Sequence, residues 1–278
     1  MNARAATTPL TVLVDEWRGE PYPLTESLLH RYGGPFGLTT PSIYANFVAS
    51  VDGVVSLAHE DRNSGSAISG RNDADRFIMG LLRACADAVL LGAGTLRATP
   101  HHRWTADDVY PAAAADFQEL RRRLGRSAMP RLVVLTSNGD IDLGHPGLDG
   151  GMVVTNESTA ATLRSAAPAG VAIRALTGDG RVRVADAVAA IRADGHASLL
   201  TEGGPRVVGE LLRAHLLDEL FLTVAPRLFG RDGGAERLAV LEGIAFAPEA
   251  APSLQLSSLR GVDSFLYARY RVAQPGRD

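Results

Sequence analysis

The stretch Ser198-Leu199-Leu200-Thr201-Glu202-Gly203-Gly204-Pro205-Arg206-Val207-Val208-Gly209-Glu210-Leu211-Leu212 places a short apolar run directly before a carboxylate, two glycines and a proline, after which a helical pattern starts. This order predicts a strand, a turn and a helix. Gly203 and Gly204 allow a ligand to approach the backbone, Pro205 suits the first helical position, and the free N–H groups of a helix start attract anions. Glu202 can accept hydrogen bonds from a polar substrate.

A second turn of the same kind follows the apolar run 87–91, in Gly92-Ala93-Gly94-Thr95-Leu96-Arg97. Alone it is a weak signal, because glycine is common at strand ends for steric reasons. It also lacks the third glycine of the Rossmann fingerprint at its usual place. Two such turns in one chain favour a long ligand with phosphates, bound in a dinucleotide site of another design.

The composition excludes several classes of function. The 278 residues are 46% hydrophobic with a formal charge of -3, which leaves no basic excess for nucleic acid. No apolar run approaches the roughly 18 residues of a membrane span. All 28 cationic residues are arginine, so a Schiff-base lysine and a P-loop lysine are excluded. The seven histidines show no zinc spacing, and no Gly-x-Ser-x-Gly elbow is present.

Cysteine content and the N-terminus indicate the compartment. Cys85 is the only cysteine, so no intramolecular disulfide can form, and the first residues lack the pattern of a secretory leader. We therefore expect a cytoplasmic protein that binds a small molecule and has no metal, membrane or nucleic-acid partner.

The hydrophobic pattern predicts one large α/β domain at 42–273, preceded by a proline-rich arm at 1–41 and followed by a tail at 274–278. Strands are predicted at 43–50, 87–91, 131–137, 152–155, 171–175, 199–201 and 220–224, and helices at 73–86, 114–124, 158–167, 184–194 and 205–215. A loop is expected through Ser69, and the runs 254–259 and 264–271 predict an antiparallel pair. The fold expected is a mixed, mostly parallel central sheet with helices on both faces and an antiparallel C-terminal edge.

Four ordered motifs carry a family resemblance. They are Ala49-Ser50-Val51-Asp52-Gly53, the run from Leu82-Arg83-Ala84 to Thr95, Thr201-Glu202-Gly203-Gly204-Pro205, and Leu217-Asp218-Glu219-Leu220 with Ala225-Pro226 and Gly230. Over residues 43–272 the chain resembles the reductase domain of riboflavin biosynthesis, most of all its stand-alone actinobacterial branch. The resemblance implies a dihydrofolate-reductase-like fold, NADPH as cofactor and a homodimer. In that branch, reduction of dihydrofolate is a further expected activity.

The resemblance and the two glycine turns together assign roles to single residues. The residues expected to bind the cofactor are Ala49, Gly92, Gly94, Thr95, Thr99, Ser137, Gly203, Gly204, Pro205, Arg206, Val207, Val208 and Gly209. Those expected to bind substrate are Ser66, Arg83, Arg103 and Glu202. The chain departs from the family in its substrate half: Thr99 replaces an aspartate, Ala67-Ile68-Ser69 replaces Trp-Ile-Thr, and Arg103 lies only near the position of a phosphate-binding arginine.

Three of these residues have a second reading from the sequence alone. Arg83 is either a solvated neighbour of an apolar helix face or a buried phosphate clamp, and the resemblance favours the clamp. Asp52 is either a turn residue or a catalytic carboxylate. Glu202 is either a carboxylate stabilised by a helix dipole or a catalytic group.

The resulting hypothesis is an NADPH-dependent reductase that moves hydride to an electrophilic carbon beside nitrogen. The substrate would be a ribosylamino-pyrimidine phosphate or a reduced pterin, with an unrelated imine or ketone as alternative. The proton would come from Asp52, Glu202 or water. NADPH is preferred over NADH because Thr136-Ser137-Asn138, without a carboxylate, follow a strand with Arg131 close in sequence. The rival from another class is a nucleotide-binding module without redox activity.

Overall fold

The computed structural model describes residues 8–57, 64–232 and 237–274. Its strands are β1 (Thr11–Asp15), β2 (Ser42–Ser50), β3 (Ser56–Leu57), β4 (Ala88–Gly92), β5 (Arg131–Leu135), β6 (Met152–Asn156), β7 (Ala172–Leu176), β8 (Ser198–Thr201), β9 (Glu219–Ala225), β10 (Arg237–Leu238), β11 (Leu254–Val262) and β12 (Phe265–Val272). Its α-helices are α1 (Glu26–Tyr32), α2 (Ser64–Ser69), α3 (Asp73–Ala84), α4 (Ala93–Arg97), α5 (Ala106–Val109), α6 (Ala114–Arg123), α7 (Glu157–Ala166), α8 (Val184–Ala193) and α9 (Pro205–Arg213).

The strands form a ten-stranded sheet in the order β1-β11-β12-β9-β2-β8-β4-β5-β6-β7. All pairings from β9 to β7 are parallel, and β12, β11 and β1 continue the sheet with antiparallel pairings. The predicted mixed, mostly parallel sheet with an antiparallel C-terminal edge is confirmed.

Both faces of the sheet are apolar, because alternate residues of a strand point to opposite sides. In β4, Val89 and Leu91 pack with α3 and α6, whereas Ala88 and Leu90 join the second core with α8 and α9. A strand buried on both faces reads as a continuous hydrophobic run, as β4 does. Helices therefore cover both faces, as the sequence predicted.

The cap residues that bound the long helices follow from the sequence. The side chain of Asn72 accepts a hydrogen bond from the backbone N–H of Asp75 at 3.0 Å and begins α3. Pro205 is the first residue of α9, where its missing N–H costs nothing.

The sequence predicted a loop through Ser69, and this prediction is wrong, because the segment contains regular structure. β3 pairs with β10 in a separate two-stranded sheet, and α2 buries Ile68 completely. Residues 58–63 of this loop lie outside the described part of the chain. Segments of two and six residues are too short for periodicity to reveal them, which also explains why α1, α4 and α5 were not predicted.

The N-terminal residues pack onto the sheet edge. β1 pairs with β11, and Leu28 and Tyr32 of α1 are buried in the main core. Arg260 of β11 holds both elements, since its guanidinium donates to the Tyr32 carbonyl at 2.8 Å and to Asp15 at 2.9 Å. Within residues 8–57, 64–232 and 237–274, no helix is long and apolar enough to cross a membrane.

Arg121 fixes the C-terminal end of α3. Its side chain is 1% exposed, and Nη1 donates to the carbonyl oxygens of Arg83, Ala84 and Ala86 at 3.1, 3.1 and 2.8 Å, while Nε donates to Ser127 at 2.7 Å. A cation placed at the free carbonyls of a helix end interacts favourably with the helix dipole. Burial lowers the pKa of Arg121 to about 10. This arginine therefore holds the end of the helix that carries Arg83.

We expect Arg121→Met to lower the free energy of unfolding by about 2–4 kcal/mol, because four carbonyl groups at the end of α3 and in the following segments lose a buried donor. Arg122→Met is the matched control, because Arg122 lies in solvent and pairs with Glu119 there, so its loss should stay below about 1 kcal/mol. Urea denaturation of both variants measures the difference. Equal losses would show that Arg121 has no special role.

Candidate active site

The two glycine turns meet at the point where the strand order of the sheet reverses. β4 and β8 are neighbours in the sheet. After β4 the chain continues to β5 on one side, whereas after β8 it continues through α9 to β9, which lies on the other side beyond β2. The backbone N–H of Gly204 donates to Oγ1 of Thr95 at 2.9 Å and joins the two turns. In open α/β sheets, ligands bind at such a switch point, outside the carboxyl ends of the strands.

The two consecutive glycines do different work. A Cβ on Gly203 would lie 2.8 Å from Cα of Leu91, so this glycine allows β8 to approach β4. A Cβ on Gly204 would meet only Thr95 Oγ1, at 3.5 Å, and one on Gly94 would meet only the end of Arg97 at 4.0 Å. The protein itself therefore does not need glycine at positions 204 and 94, and the bare backbone there is open to a ligand.

A cleft of about 170 Å³ lies beside these turns. It is lined by Gly92, Leu135, Thr136, Ser137, Val182, Val184, Arg206, Val207 and Glu210. Four predicted cofactor residues, Gly92, Ser137, Arg206 and Val207, thus come together although they are far apart in sequence. Arg206 is exposed in the first turn of α9 and brings a cation to the helix N-terminus.

Other predicted cofactor residues face protein instead of the cleft. Thr99 donates from Oγ1 to the Thr95 carbonyl at 2.9 Å, and Val208 is 1% exposed. A Cβ on Gly209 would lie 2.8 Å from Ile244, so this glycine serves packing. Ala49 is buried in β2 beside Val224. Pro205 is buried and, having no N–H, cannot donate to a phosphate. These positions shape the site rather than line the described cleft.

The structure corrects the part of the NADPH argument that relied on Arg131, because this residue does not lie at the cleft. It begins β5, whereas the cleft lies at the other end of this strand, beside Leu135. Four residue steps of about 3.3 Å place the two ends about 13 Å apart. Closeness in sequence was misleading, because a strand carries successive residues away from each other. Arg206 is the arginine that borders the cleft.

The predicted substrate residues Arg83 and Glu202 form a buried ion pair. Nε of Arg83 donates to Oε1 of Glu202 at 2.9 Å, and Nη2 donates to Oε2 at 2.6 Å. The side chains are 1% and 9% exposed. Parallel bonds of this kind are strong and fix the orientation of both groups. The solvated reading of Arg83 is therefore wrong.

The sequence analysis missed His102, which completes this pair. Nε2 of His102 lies 2.9 Å from Nη2 of Arg83, and because a guanidinium only donates, Nε2 is the acceptor. Burial, followed by the charge of Arg83, lowers the pKa of His102 to about 3, so the ring is neutral. Trp104 packs between the rings of His102 and His145, at centroid distances of 4.9 and 5.7 Å. His102 was tested only for zinc spacing, where an adjacent pair gives no signal.

The geometry assigns Asp52 to the loop and gives no support to a catalytic role. Its carboxylate accepts from the Ser50 hydroxyl at 2.5 Å and from the backbone N–H of Gly230 at 2.6 Å. These two hydrogen bonds lower the pKa of Asp52 to about 2. The group is a carboxylate at neutral pH and has no proton to donate.

The two remaining predicted substrate residues lie at the border of the site. Ser66 is half-buried in α2, where its carbonyl accepts from the N–H of Arg71. Arg103 has an exposed side chain, and its carbonyl accepts from Nη1 of Arg83 at 3.4 Å. The contact between Arg103 and Arg83 is thus made by the backbone.

Asp75 is a buried acid that the sequence analysis did not identify. It lies in the first turn of α3 with 4% exposure. Burial raises its pKa to about 6, against hydrogen bonds from Thr223 and Ser69, and the carboxylate of Glu202 raises it further. The predicted helix at 73–86 includes Asp75, but a helical pattern does not show which of its acids become buried.

Comparison with known proteins agrees with this architecture. The family model of the RibD C-terminal domain matches residues 41–264, and the chain belongs to this family of oxidoreductases. A pyrimidine reductase-like protein of Corynebacterium diphtheriae is 22% identical, with a TM-score of 0.64 over 86% of this chain and 93% of the other. No curated protein matches the chain.

Two enzymes of riboflavin biosynthesis share the fold. The deaminase/5-amino-6-(5-phosphoribosylamino)uracil reductase of Thermotoga maritima is 20% identical, with a TM-score of 0.59, over 84% of this chain and 57% of the other. Riboflavin biosynthesis reductase Rib7 of Saccharomyces cerevisiae is 16% identical, with a TM-score of 0.58, over 89% of this chain and 97% of the other. At these identities the likeness is one of fold.

Asp75 predicts a specific pH dependence of stability. Its folded pKa lies above its unfolded value, so the folded state binds the extra proton between about pH 4 and pH 6, and stability falls as pH rises through this range. Asp75→Asn stays neutral, and its free energy of unfolding relative to wild type should rise by about 3 kcal/mol from pH 4 to pH 7.5. Urea denaturation at both pH values tests this. A pH-independent difference would contradict it.

Proposed function

We propose that this protein is an NADPH-dependent reductase of an aminopyrimidine or a reduced pterin. The observation that carries the proposal is the junction of the two glycine turns, where the Gly204 N–H donates to Thr95, with the cleft at Gly92, Arg206 and Val207 on one side and Glu202 in the same turn as Gly204. This arrangement brings a phosphate-binding helix start and a buried carboxylate to one point of the sheet. A reductase needs this juxtaposition, because cofactor and substrate must meet in one crevice.

The residues of the cleft fit a phosphorylated nucleotide. The open backbone at Gly94 and Gly204, the N-terminus of α9 and the guanidinium of Arg206 would hold its phosphates, and Ser137 would face its ribose. When bound, NADPH supplies the hydride. The protein holds the cofactor in place and excludes water from the junction.

The substrate half binds a polar heterocycle through Glu202. Arg83 occupies one side of the carboxylate, and the remaining lone pairs accept N–H groups of the substrate. Asp75, with a pKa near 6, holds a proton on its buried carboxyl group in an appreciable fraction of molecules at neutral pH. Because the charge of Glu202 acts on Asp75, Asp75 joins Glu202 and water as a candidate source of the proton.

The proposal also includes the oligomeric state of the protein and its cellular compartment. The family resemblance supports a homodimer in the cytoplasm that takes a small-molecule substrate. Sedimentation equilibrium of the purified chain measures the oligomeric state, and a monomer at micromolar concentration would contradict the proposed homodimer.

The direct test is oxidation of NADPH in the presence of a ribosylamino-pyrimidine phosphate or dihydrofolate, followed by the loss of its absorbance. Turnover with either substrate supports the reductase. Tight binding of NADPH without turnover of either substrate would favour a nucleotide-binding module and contradict the proposal.

Gly204→Val should weaken NADPH binding by about tenfold or more while the protein stays folded, because a branched side chain fills the space that the phosphates need. Thr95→Val should cost about 0.5–1.5 kcal/mol of binding, since it removes the hydrogen bond from the Gly204 N–H that holds the two turns of the site together. Gly203→Ala is the contrasting variant and should lower the free energy of unfolding by about 1–3 kcal/mol. Calorimetric titration and urea denaturation separate these effects. Unchanged NADPH affinity in folded Gly204→Val would exclude the site.

Arg206 predicts the choice between NADPH and NADH. Arg206→Gln should weaken NADPH binding roughly 10- to 100-fold by removing a charged donor to phosphate, and should affect NADH less. Arg164→Gln, at an exposed position of α7, is the control. Titration of each variant with both cofactors gives the ratio. An equal loss for both would show that Arg206 does not recognise the additional phosphate.

A further inference from the structure

Every N–H donor of Arg83 has a partner inside the protein. A guanidinium has five donors. Two are used by the two oxygens of Glu202, one by Nε2 of His102, and two by the carbonyl oxygens of Arg103 and Thr105, at 3.4 and 3.2 Å. No donor is left for a phosphate oxygen of the substrate.

Burial makes this arrangement costly to break. With the side chain of Arg83 1% exposed, its withdrawal would leave Glu202 as an unpaired buried carboxylate and would remove one donor each from the carbonyl groups of Arg103 and Thr105. The loop that supplies these carbonyls is itself fixed, since Trp104 is 5% exposed and His145 donates from Nε2 to the Thr99 carbonyl at 2.9 Å. Arg83 therefore has no free position from which to reach a ligand phosphate.

Glu202 keeps acceptor capacity that Arg83 does not use. A carboxylate has about four acceptor positions, and Arg83 takes two of them. The side chain of Glu202, which is 9% exposed, lies in the turn between β8 and α9 and keeps two acceptor positions there. They match two adjacent N–H groups, such as a ring N–H and an exocyclic amine.

We propose that Arg83 is a positioning residue that holds the carboxylate of Glu202 in the orientation needed to bind the substrate, with no phosphate of the substrate bound to Arg83. This inference rests on the proposed reductase function. It separates this chain from the phosphate-clamp role that the resemblance implied.

The first experiment compares a ribosylamino-pyrimidine phosphate with the same compound after phosphatase treatment. Arg83→Lys keeps the charge but cannot form the two parallel bonds, so kcat/KM should fall roughly 10- to 100-fold for both compounds, with their ratio unchanged. Arg122→Lys is the matched control, because Arg122 forms the same two-bonded pair with Glu119 in solvent. A loss confined to the phosphorylated compound would overturn the proposal.

A double-mutant cycle tests whether Arg83 acts through Glu202. The rate of the Arg83→Lys/Glu202→Gln double variant should be no lower than that of the slower single variant, because both changes remove the same interaction. Fully additive losses would overturn the proposal. If Arg83→Lys does not fold, His102→Leu is used instead, because it removes one of the acceptors that hold Arg83. His102→Leu should slow the reduction of both compounds equally, whereas His102→Gln, which keeps an acceptor, should retain the rate.

Binding of ribose 5-phosphate distinguishes failure of this inference from failure of the proposed function. If wild type reduces no substrate, the reductase proposal fails, and calorimetric titration of wild type and Arg83→Lys with ribose 5-phosphate still tests Arg83. Equal affinity, or no binding to either, supports the positioning role. Weaker binding to Arg83→Lys would overturn it.

Discussion

The ion pair between Arg83 and Glu202 is the interaction on which the substrate half of this structure depends. It joins the end of α3, the turn after β8 and the loop at 102–105, which are separated by up to 119 positions in sequence. An exposed pair of this kind would contribute little, but a buried pair with every donor satisfied strongly favours one geometry. The loop, its tryptophan and two histidines take their positions around it.

Two further contacts make the helix end that carries Arg83 rigid. Arg121 donates to the last carbonyl groups of α3, and the Tyr44 hydroxyl donates to the Leu82 carbonyl at 2.9 Å. Arg121 brings a second buried guanidinium close to the first without a carboxylate among its hydrogen-bond partners, which is tolerated because helix-end carbonyl groups provide a negative potential. The cofactor half depends on a different contact, from Gly204 to Thr95. Both halves meet at residues 202–204, so one turn sets their mutual distance.

Sequence patterns predicted the sheet and both glycine turns, and together with the family resemblance they gave Gly92, Ser137, Arg206 and Val207, which share the cleft. These predictions depended on local chemistry, because apolar runs, glycines and a proline act within a few residues. The same patterns did not reveal Asp75, His102 or Arg121. Each of these residues acquires its role through burial against distant segments, and nothing in its own neighbourhood indicates that burial. The prediction that Arg131 lies near the cofactor was wrong for the opposite reason. Arg131 is close to Ser137 in sequence, but the strand between them places the two residues far apart in space.

The sequence by itself determined where the longer strands and helices of the domain at 42–273 form, which turns leave backbone open to a ligand, and which family the chain resembles. Only the tertiary structure decided which charged groups are satisfied by the protein and which remain for a ligand. Arg83 shows the difference: its residue type fits a phosphate clamp, but Glu202, His102 and two carbonyl groups use all its donors. Hydrogen-bond capacity is finite and burial is set by long-range packing, so the partners of a buried charge follow from the fold rather than from adjacent residues.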